Sequence, residues 1–223
     1  MRVLIPGFGV TSKIFSEFKK KTRCIIIDNP HSYSEFLKLW KKTVKTDEPI
    51  DIFGWSLGSI FALKLTLENR FNIKTLFLTG ATARFLCKDN YKGGVKRETL
   101  LLMKDLIKKH HRVVMYNFFM SFLKDIKNSN KIVKTLMDNL PSKKRLLSGL
   151  EELERIDLLE EISNLRIPLK IIQGEDDKIT PIGGAEEIIK RSIGSILEKK
   201  KGNHALFFEY PGFLEREWLV WTS

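Results

Sequence analysis

Ser56 sits in Gly54-Trp55-Ser56-Leu57-Gly58, a Gly-x-Ser-x-Gly spacing with the apolar run Asp51–Gly54 before it and the helix-spaced run Leu57–Leu67 after it. That spacing suits a nucleophile elbow, a sharp strand-to-helix turn that holds a serine hydroxyl exposed in a strained backbone conformation. Glycines flank such a turn because side chains there would meet neighbouring backbone. The competing reading is a tight turn with a helix-capping serine. The strand and helix on either side favour the elbow.

A serine needs a base to attack a carbonyl, and the base needs a carboxylate to orient it. In the chain order Ser, acid, His, only His204 qualifies, in "KGNHALFFEYP"; His31 precedes the serine, and His110 and His111 fall inside a helical stretch. The acid belongs after a buried strand, and "IPLKIIQGEDDKITP" offers both Asp176 and Asp177 by spacing. Two backbone N–H groups must receive the oxyanion of the tetrahedral intermediate. Leu57 follows the nucleophile, and Phe8 in "PGFG" follows the first strand, so these two supply them. Read as a nucleotide loop instead, "GFG" lacks a third glycine and the acidic residue about 20 positions on, and no Gly-Lys-Ser/Thr occurs. No cofactor and no metal are expected.

The elements that position these residues follow from the apolar pattern. Short Ile, Leu, Val and Phe-rich bursts at 2–7, 23–28, 49–54, 74–80, 167–174 and 194–200 predict strands, the first five buried and parallel. Helical patterns at 12–20, 34–45, 57–69 and 182–191 alternate with them, which predicts an α/β sheet covered on both faces. Between 84 and 164 the alternation stops. Apolar residues recur there at three and four residue spacing with lysines on the remaining face, predicting a helical insertion with turns at 127–131 and 139–144. The domain reading is therefore a core of 1–83 and 165–223 with an insertion of 84–164.

The 223 residues are 43% hydrophobic and 30% charged, a composition that suits one globular domain. No run approaches a membrane span, and the opening "MRVLIPGFG" is too short in apolar residues for an export leader, so a cytoplasmic protein without membrane insertion is expected. Cys24 and Cys87 match no metal or redox spacing and are expected as buried free thiols. The formal net charge is +12, and residues 88–145 hold fifteen Lys or Arg against five Asp or Glu. A charge so concentrated in the insertion points to an acidic protein partner. Nucleic acid is not expected, since charge alone supports it and no recognition motif occurs.

Taken in order, "PGFG", "GWSLG", "GEDDKITP" and "GNHALFFEYP" resemble the motifs of the α/β-hydrolase superfamily over nearly the whole chain. Within it the sequence is most similar to the pimeloyl-acyl carrier protein methyl ester esterases of biotin synthesis, with their Gly-Trp-Ser-Leu-Gly elbow, helical lid and His-Ala-x-Phe at the base. The resemblance selects Asp177 as the acid, giving Ser56, Asp177 and His204 as the triad. It implies an α/β-hydrolase fold with a mostly parallel sheet of about six strands, the hairpin that commonly precedes the first core strand having no counterpart here. It further implies a serine carboxylesterase acting as a monomer on an acyl chain borne by an acyl carrier protein, held under the lid. Trp55, Phe118 and Phe122 are then expected to bind substrate, with Phe8, Phe85 and Phe119 as further wall residues; the competing reading makes Phe119 or Phe122 part of the lid's own core, since adjacent helical residues cannot all face one pocket. Arg112, Lys127, Lys131 and Lys134 would meet the carrier, the three lysines sharing one helix face by their spacing. The family's His-Gly after the first core strand is Pro6-Gly7 here, so any contact that histidine makes is missing.

Overall fold

A computed structural model describes residues 1–28, 30–45, 47–88 and 90–222. Six strands form a single sheet: β1 (Arg2–Ile5), β2 (Ile25–Ile26), β3 (Ile50–Trp55), β4 (Ile73–Thr79), β5 (Leu169–Gly174) and β6 (Ile196–Lys200), in the order β2-β1-β3-β4-β5-β6. Every ladder is parallel. The central strands carry β-branched and aromatic residues and are covered on both faces, all six residues of β3 being buried, whereas the edge strand β6 is partly exposed. Helices α1 (Ser16–Thr22), α2 (Tyr33–Thr43), α3 (Leu57–Leu67) and α7 (Ile182–Arg191) connect or flank the strands. Between β4 and β5 come α4 (Arg97–Leu123), α5 (Ser129–Asp138) and α6 (Lys143–Arg155), and a short α8 (Leu206–Glu209) follows β6. Among the described residues no helix is long and apolar enough to cross a membrane.

Three details differ from the sequence reading. The burst at 23–28 pairs only through Ile25 and Ile26, both half-buried, because β2 is the sheet's edge and Arg23 turns into the left-handed region at φ 56°. The first predicted helix opens as a 3₁₀ turn, Ser12–Phe15, capped by the Thr11 hydroxyl. Cys24 and Cys87 are both free, but only Cys24 is buried; Cys87 is half-buried, its thiol donating to the Gly94 carbonyl at 3.0 Å.

Strand order reverses at β1, which lies between β2 and β3. In a parallel α/β sheet the crevice for a ligand opens beyond the carboxyl ends of the strands at such a point. Pro6–Phe8 leave the end of β1, and Ser56 leaves the end of β3. The topology alone thus puts those two segments side by side. Across them lie the helices of the insertion; α4, broken at His110 where φ is −137° and ψ 45°, brings Phe118 to 5.9 Å from the Phe8 ring.

Candidate active site

Ser56 occupies φ 58°, ψ −122°, a conformation that costs a non-glycine residue on the order of 1–3 kcal/mol. The surroundings hold it there. Its N–H donates to the Thr79 carbonyl at 3.1 Å, tying the turn to the end of β4, and its carbonyl receives the Ser59 hydroxyl at 2.6 Å. A methyl group at Gly54 would lie 2.9 Å from the Gly58 oxygen, and one at Gly58 would overlap the Ile5 carbonyl. Both glycines of the Gly-x-Ser-x-Gly pattern are therefore required by backbone packing. Gly7 plays the same part opposite, since a methyl there would sit 3.0 Å from the Ser56 Cβ.

The structure brings Asp177 and His204 together. Nδ1 of His204 lies 2.8 Å from Asp177 Oδ2, and both residues are buried. Because an ionised carboxylate only accepts, the proton of this pair sits on Nδ1, which leaves Nε2 as the basic nitrogen. The same carboxylate accepts from the Ile179 N–H at 2.8 Å, the Thr180 N–H at 3.0 Å, the Thr180 hydroxyl at 2.8 Å and the Gln173 amide at 3.0 Å. Burial pushes the Asp177 carboxyl up, but the His204 charge and hydrogen bond and the Thr180 donors outweigh it and hold the group below its ordinary value. Asp176, the other aspartate that spacing allowed, is exposed and turned away into a second cavity.

His204 is set from three more sides. The Trp55 indole N–H donates to its carbonyl at 2.9 Å, and the Trp55 and Phe122 rings stand 5.5 and 5.4 Å from the imidazole. Gly80, at φ 56°, clears the ring's edge, where a methyl group would lie 2.9 Å from Cε1. Among the described residues no hydrogen bond links Ser56 Oγ to His204 Nε2 in this state. Such bonds are commonly long before substrate binds. His31 is buried with neither ring nitrogen hydrogen-bonded among the described residues, and burial, helped by the Arg145 charge, lowers it to about 3. It stays a neutral core residue.

Leu57 is the first residue of α3, so its N–H has no intrahelical acceptor. The Phe8 N–H likewise meets no acceptor among the described residues. These are the two donors expected for the oxyanion: Leu57 directly follows Ser56, and Phe8 follows Gly7, where an added methyl would lie 3.0 Å from the Ser56 Cβ.

A cavity of about 210 Å³ opens over Ser56. Phe8, Phe118, Leu150 and Leu153 wall it, with Phe85, Val95, Leu100 and Met103 on the side of the insertion. Its lining is almost wholly apolar. Of the three residues expected to bind substrate, Phe118 lines this cavity, whereas Trp55 packs against Phe15, Phe207 and His204, and Phe122 packs against His204. Phe119, fully buried, belongs to the packing of α4. Sequence reasoning missed Thr180 and Gln173, the residues that fix Asp177. A polar residue inside the apolar strand "LKIIQG" was the one signal for Gln173.

Arg112, Lys127, Lys131 and Lys134 are all exposed, and none lines this cavity. The three lysines do not share a helix face. Asn128 turns left-handed at φ 63° and α5 begins only at Ser129, so Lys127 lies in the preceding turn, while Lys134 pairs with Asp138 at 2.8 Å and Arg112 reaches the Met137 carbonyl at 3.5 Å.

No protein-family model matches the chain. It is 26% identical over 168 residues to a pimeloyl-acyl-carrier protein methyl ester esterase of Neisseria meningitidis serogroup B, a match covering 74% of this chain and 65% of that protein. It is 28% identical over 218 residues to the protein of the same name from Wigglesworthia glossinidia brevipalpis, covering 93% and 76%. The chain thus spans about 65% of the length of the Neisseria relative. Among solved structures it is similar to an esterase from Exiguobacterium antarcticum, with a TM-score of 0.82 at 20% identity over 99% of this chain and 89% of that one. A bromoperoxidase from Bacillus anthracis superposes with a TM-score of 0.85 at 16% identity, over 100% and 91%. The chain has the α/β-hydrolase fold.

Proposed function

We propose that the chain is a serine carboxylesterase in which Ser56 Oγ attacks an ester carbonyl, His204 Nε2 takes its proton and passes it to the leaving alcohol, and Asp177 holds the imidazole. Water then repeats the sequence on the acyl-enzyme, returning the proton to Ser56. The N–H groups of Phe8 and Leu57 receive the oxyanion, where fixed donors in a water-poor site stabilise charge that develops only in the transition state. One observation carries the reading: a strained serine at φ 58° and a buried Asp177–His204 pair at 2.8 Å, linked through Trp55, which precedes the serine and whose indole N–H donates to the His204 carbonyl.

The substrate in this reading is the methyl ester of a pimeloyl chain carried by an acyl carrier protein, with methanol leaving, as the names of the sequence relatives suggest. A narrow apolar cavity under the lid of α4–α6 suits a linear acyl chain. The triad can attack either an ester or a thioester, so the cavity must present the distal ester to Ser56 and leave the carrier linkage outside. A second reading, a general esterase of small free esters, is favoured by the positions of Arg112, Lys127, Lys131 and Lys134, none of which borders the cavity.

Labelling with a fluorophosphonate tests the chemistry directly. The expected result is one adduct on Ser56 by intact mass and peptide mapping, abolished in Ser56→Ala and much slowed in His204→Ala. No adduct, or labelling that survives Ser56→Ala, contradicts the assignment.

A further inference from the structure

The cavity over Ser56 has one charged residue in its lining, Lys178, the neighbour of Asp177. Of the lining residues only Lys178 and Thr99 are exposed, so these two mark where the cavity meets solvent, and Ser56 lies with Phe8, Leu100, Leu150 and Leu153 on its buried part. A chain lying in the cavity with its ester at Ser56 therefore leaves past Lys178.

The ammonium there is uncompensated. No carboxylate pairs with Lys178 among the described residues, whereas Arg97 and Lys104 of the adjacent α4 both pair with Glu154. The second cavity, beyond Phe122 on the other side of His204, has the opposite character: Asp125, Asp176 and Glu209 line it and no cation does. The charged side chains lining the second cavity thus disfavour an anionic ligand, whereas the one at the cavity over Ser56 favours it. A lone cation at the rim of an apolar slot adds nothing to binding a neutral chain, but it pairs with an anion that the slot holds at the right distance.

We infer that Lys178 is a specificity-determining residue whose ammonium pairs with an anionic group carried by the substrate at the end of the acyl chain remote from the scissile ester. This deepens the esterase reading and rests on it. The anion has two possible sources with the same chemistry, the phosphodiester of a carrier's prosthetic arm or the free carboxylate of a half-ester.

The test compares wild type, Lys178→Gln, Lys178→Glu and a remote control, Lys190→Gln on α7, by kcat/KM. The substrates are methyl esters of ω-carboxylic acids of increasing length, neutral methyl esters of equal length, and an acyl-phosphopantetheine methyl ester with and without its phosphate. A pair at a partly solvated rim is worth about fivefold. In wild type the anionic-to-neutral ratio should pass through an optimum in chain length. In Lys178→Gln the ratio should fall about fivefold through KM with the optimum gone, in Lys178→Glu it should fall further, and in Lys190→Gln it should not move. An optimum among the half-esters assigns the carboxylate; a preference confined to the phosphorylated substrate assigns the phosphodiester. If wild type cleaves esters in a Ser56-dependent way and Lys178→Gln keeps the wild-type ratio, the inference is overturned while the esterase reading stands. If Ser56→Ala cleaves as well as wild type, the esterase reading itself fails.

Discussion

Asp177 Oδ2 lies 2.8 Å from His204 Nδ1, out of contact with water and within a ring of donors from Gln173, Ile179 and Thr180. Such a carboxylate does two things at once: it fixes which imidazole nitrogen is basic, and it faces the positive charge that appears when His204 takes the serine proton. Asp177→Asn keeps the shape but offers an amide that can donate to Nδ1, which moves the proton to Nε2. The expected loss in kcat is about 10³–10⁴-fold with KM nearly unchanged. Steady-state ester hydrolysis beside a circular dichroism check on folding measures it, and a loss under tenfold would remove Asp177 from the proposed triad.

The same group shapes acid stability. Its carboxyl titrates below the unfolded value, so it contributes stability that is present above the unfolded pKa and is lost as pH falls through the folded one. Thermal unfolding followed from neutral into acid pH should show wild type losing Tm more steeply than Asp177→Asn. Parallel acid limbs would mean that Asp177 is not held low.

Glu209 runs the other way. Burial raises its pKa, with Asp176, Asp177 and Asp125 adding to the effect against the Asn203 N–H that it accepts. A raised carboxyl is a liability above its folded pKa and is relieved as pH falls through that value. Glu209→Gln keeps an acceptor for Asn203 and removes the charge. It should raise Tm at neutral pH by about 1 °C, since the group is only half-buried and solvent screens it, and the gain should vanish in acid. A Tm gap that is constant with pH would contradict this.

Two glycine substitutions separate packing from backbone strain. At Gly58 a methyl group meets the Ile5 and Pro6 carbonyls, which are backbone and cannot move aside, whereas at Gly194 nothing lies within 4 Å and only the φ of 73° opposes a side chain. Gly58→Ala should lose more than about 3 kcal/mol or fail to fold, and Gly194→Ala about 1 kcal/mol. Urea unfolding ranks them. Equal costs would show that the elbow is not closed by contact with β1.

Much of this was readable from residue order. The Gly-x-Ser-x-Gly stretch, the strand before it and the helix after it are local, and local chemistry dictates them: Gly54 and Gly58 are the only residues that let β3, α3 and β1 approach so closely. The alternation of apolar bursts and helical spacing likewise foretold six strands and the parallel pairing of the first five, and β6 joins them in parallel although its ILEKK is only partly covered. What could not be read was which way a side chain turns once helices pack. Trp55 and Phe122 were sensible walls by composition, yet both pack against His204, the Trp55 indole N–H donating to the His204 carbonyl at 2.9 Å and the Phe122 ring standing 5.4 Å from the imidazole. The face shared by Lys127, Lys131 and Lys134 failed for a local reason, a left-handed Asn128 that no spacing rule announces. The Thr180 and Gln173 contacts to Asp177 depend on three segments meeting, information that lies in the tertiary structure.

The most direct measurement is methanol release from pimeloyl-acyl carrier protein methyl ester, at low and high salt, beside the same ester without its carrier and a Ser56→Ala control. The account predicts cleavage that requires Ser56, runs faster on the carrier-linked ester and loses that advantage in salt. Cleavage that persists in Ser56→Ala, or no cleavage of either ester by the folded wild-type protein, would contradict it.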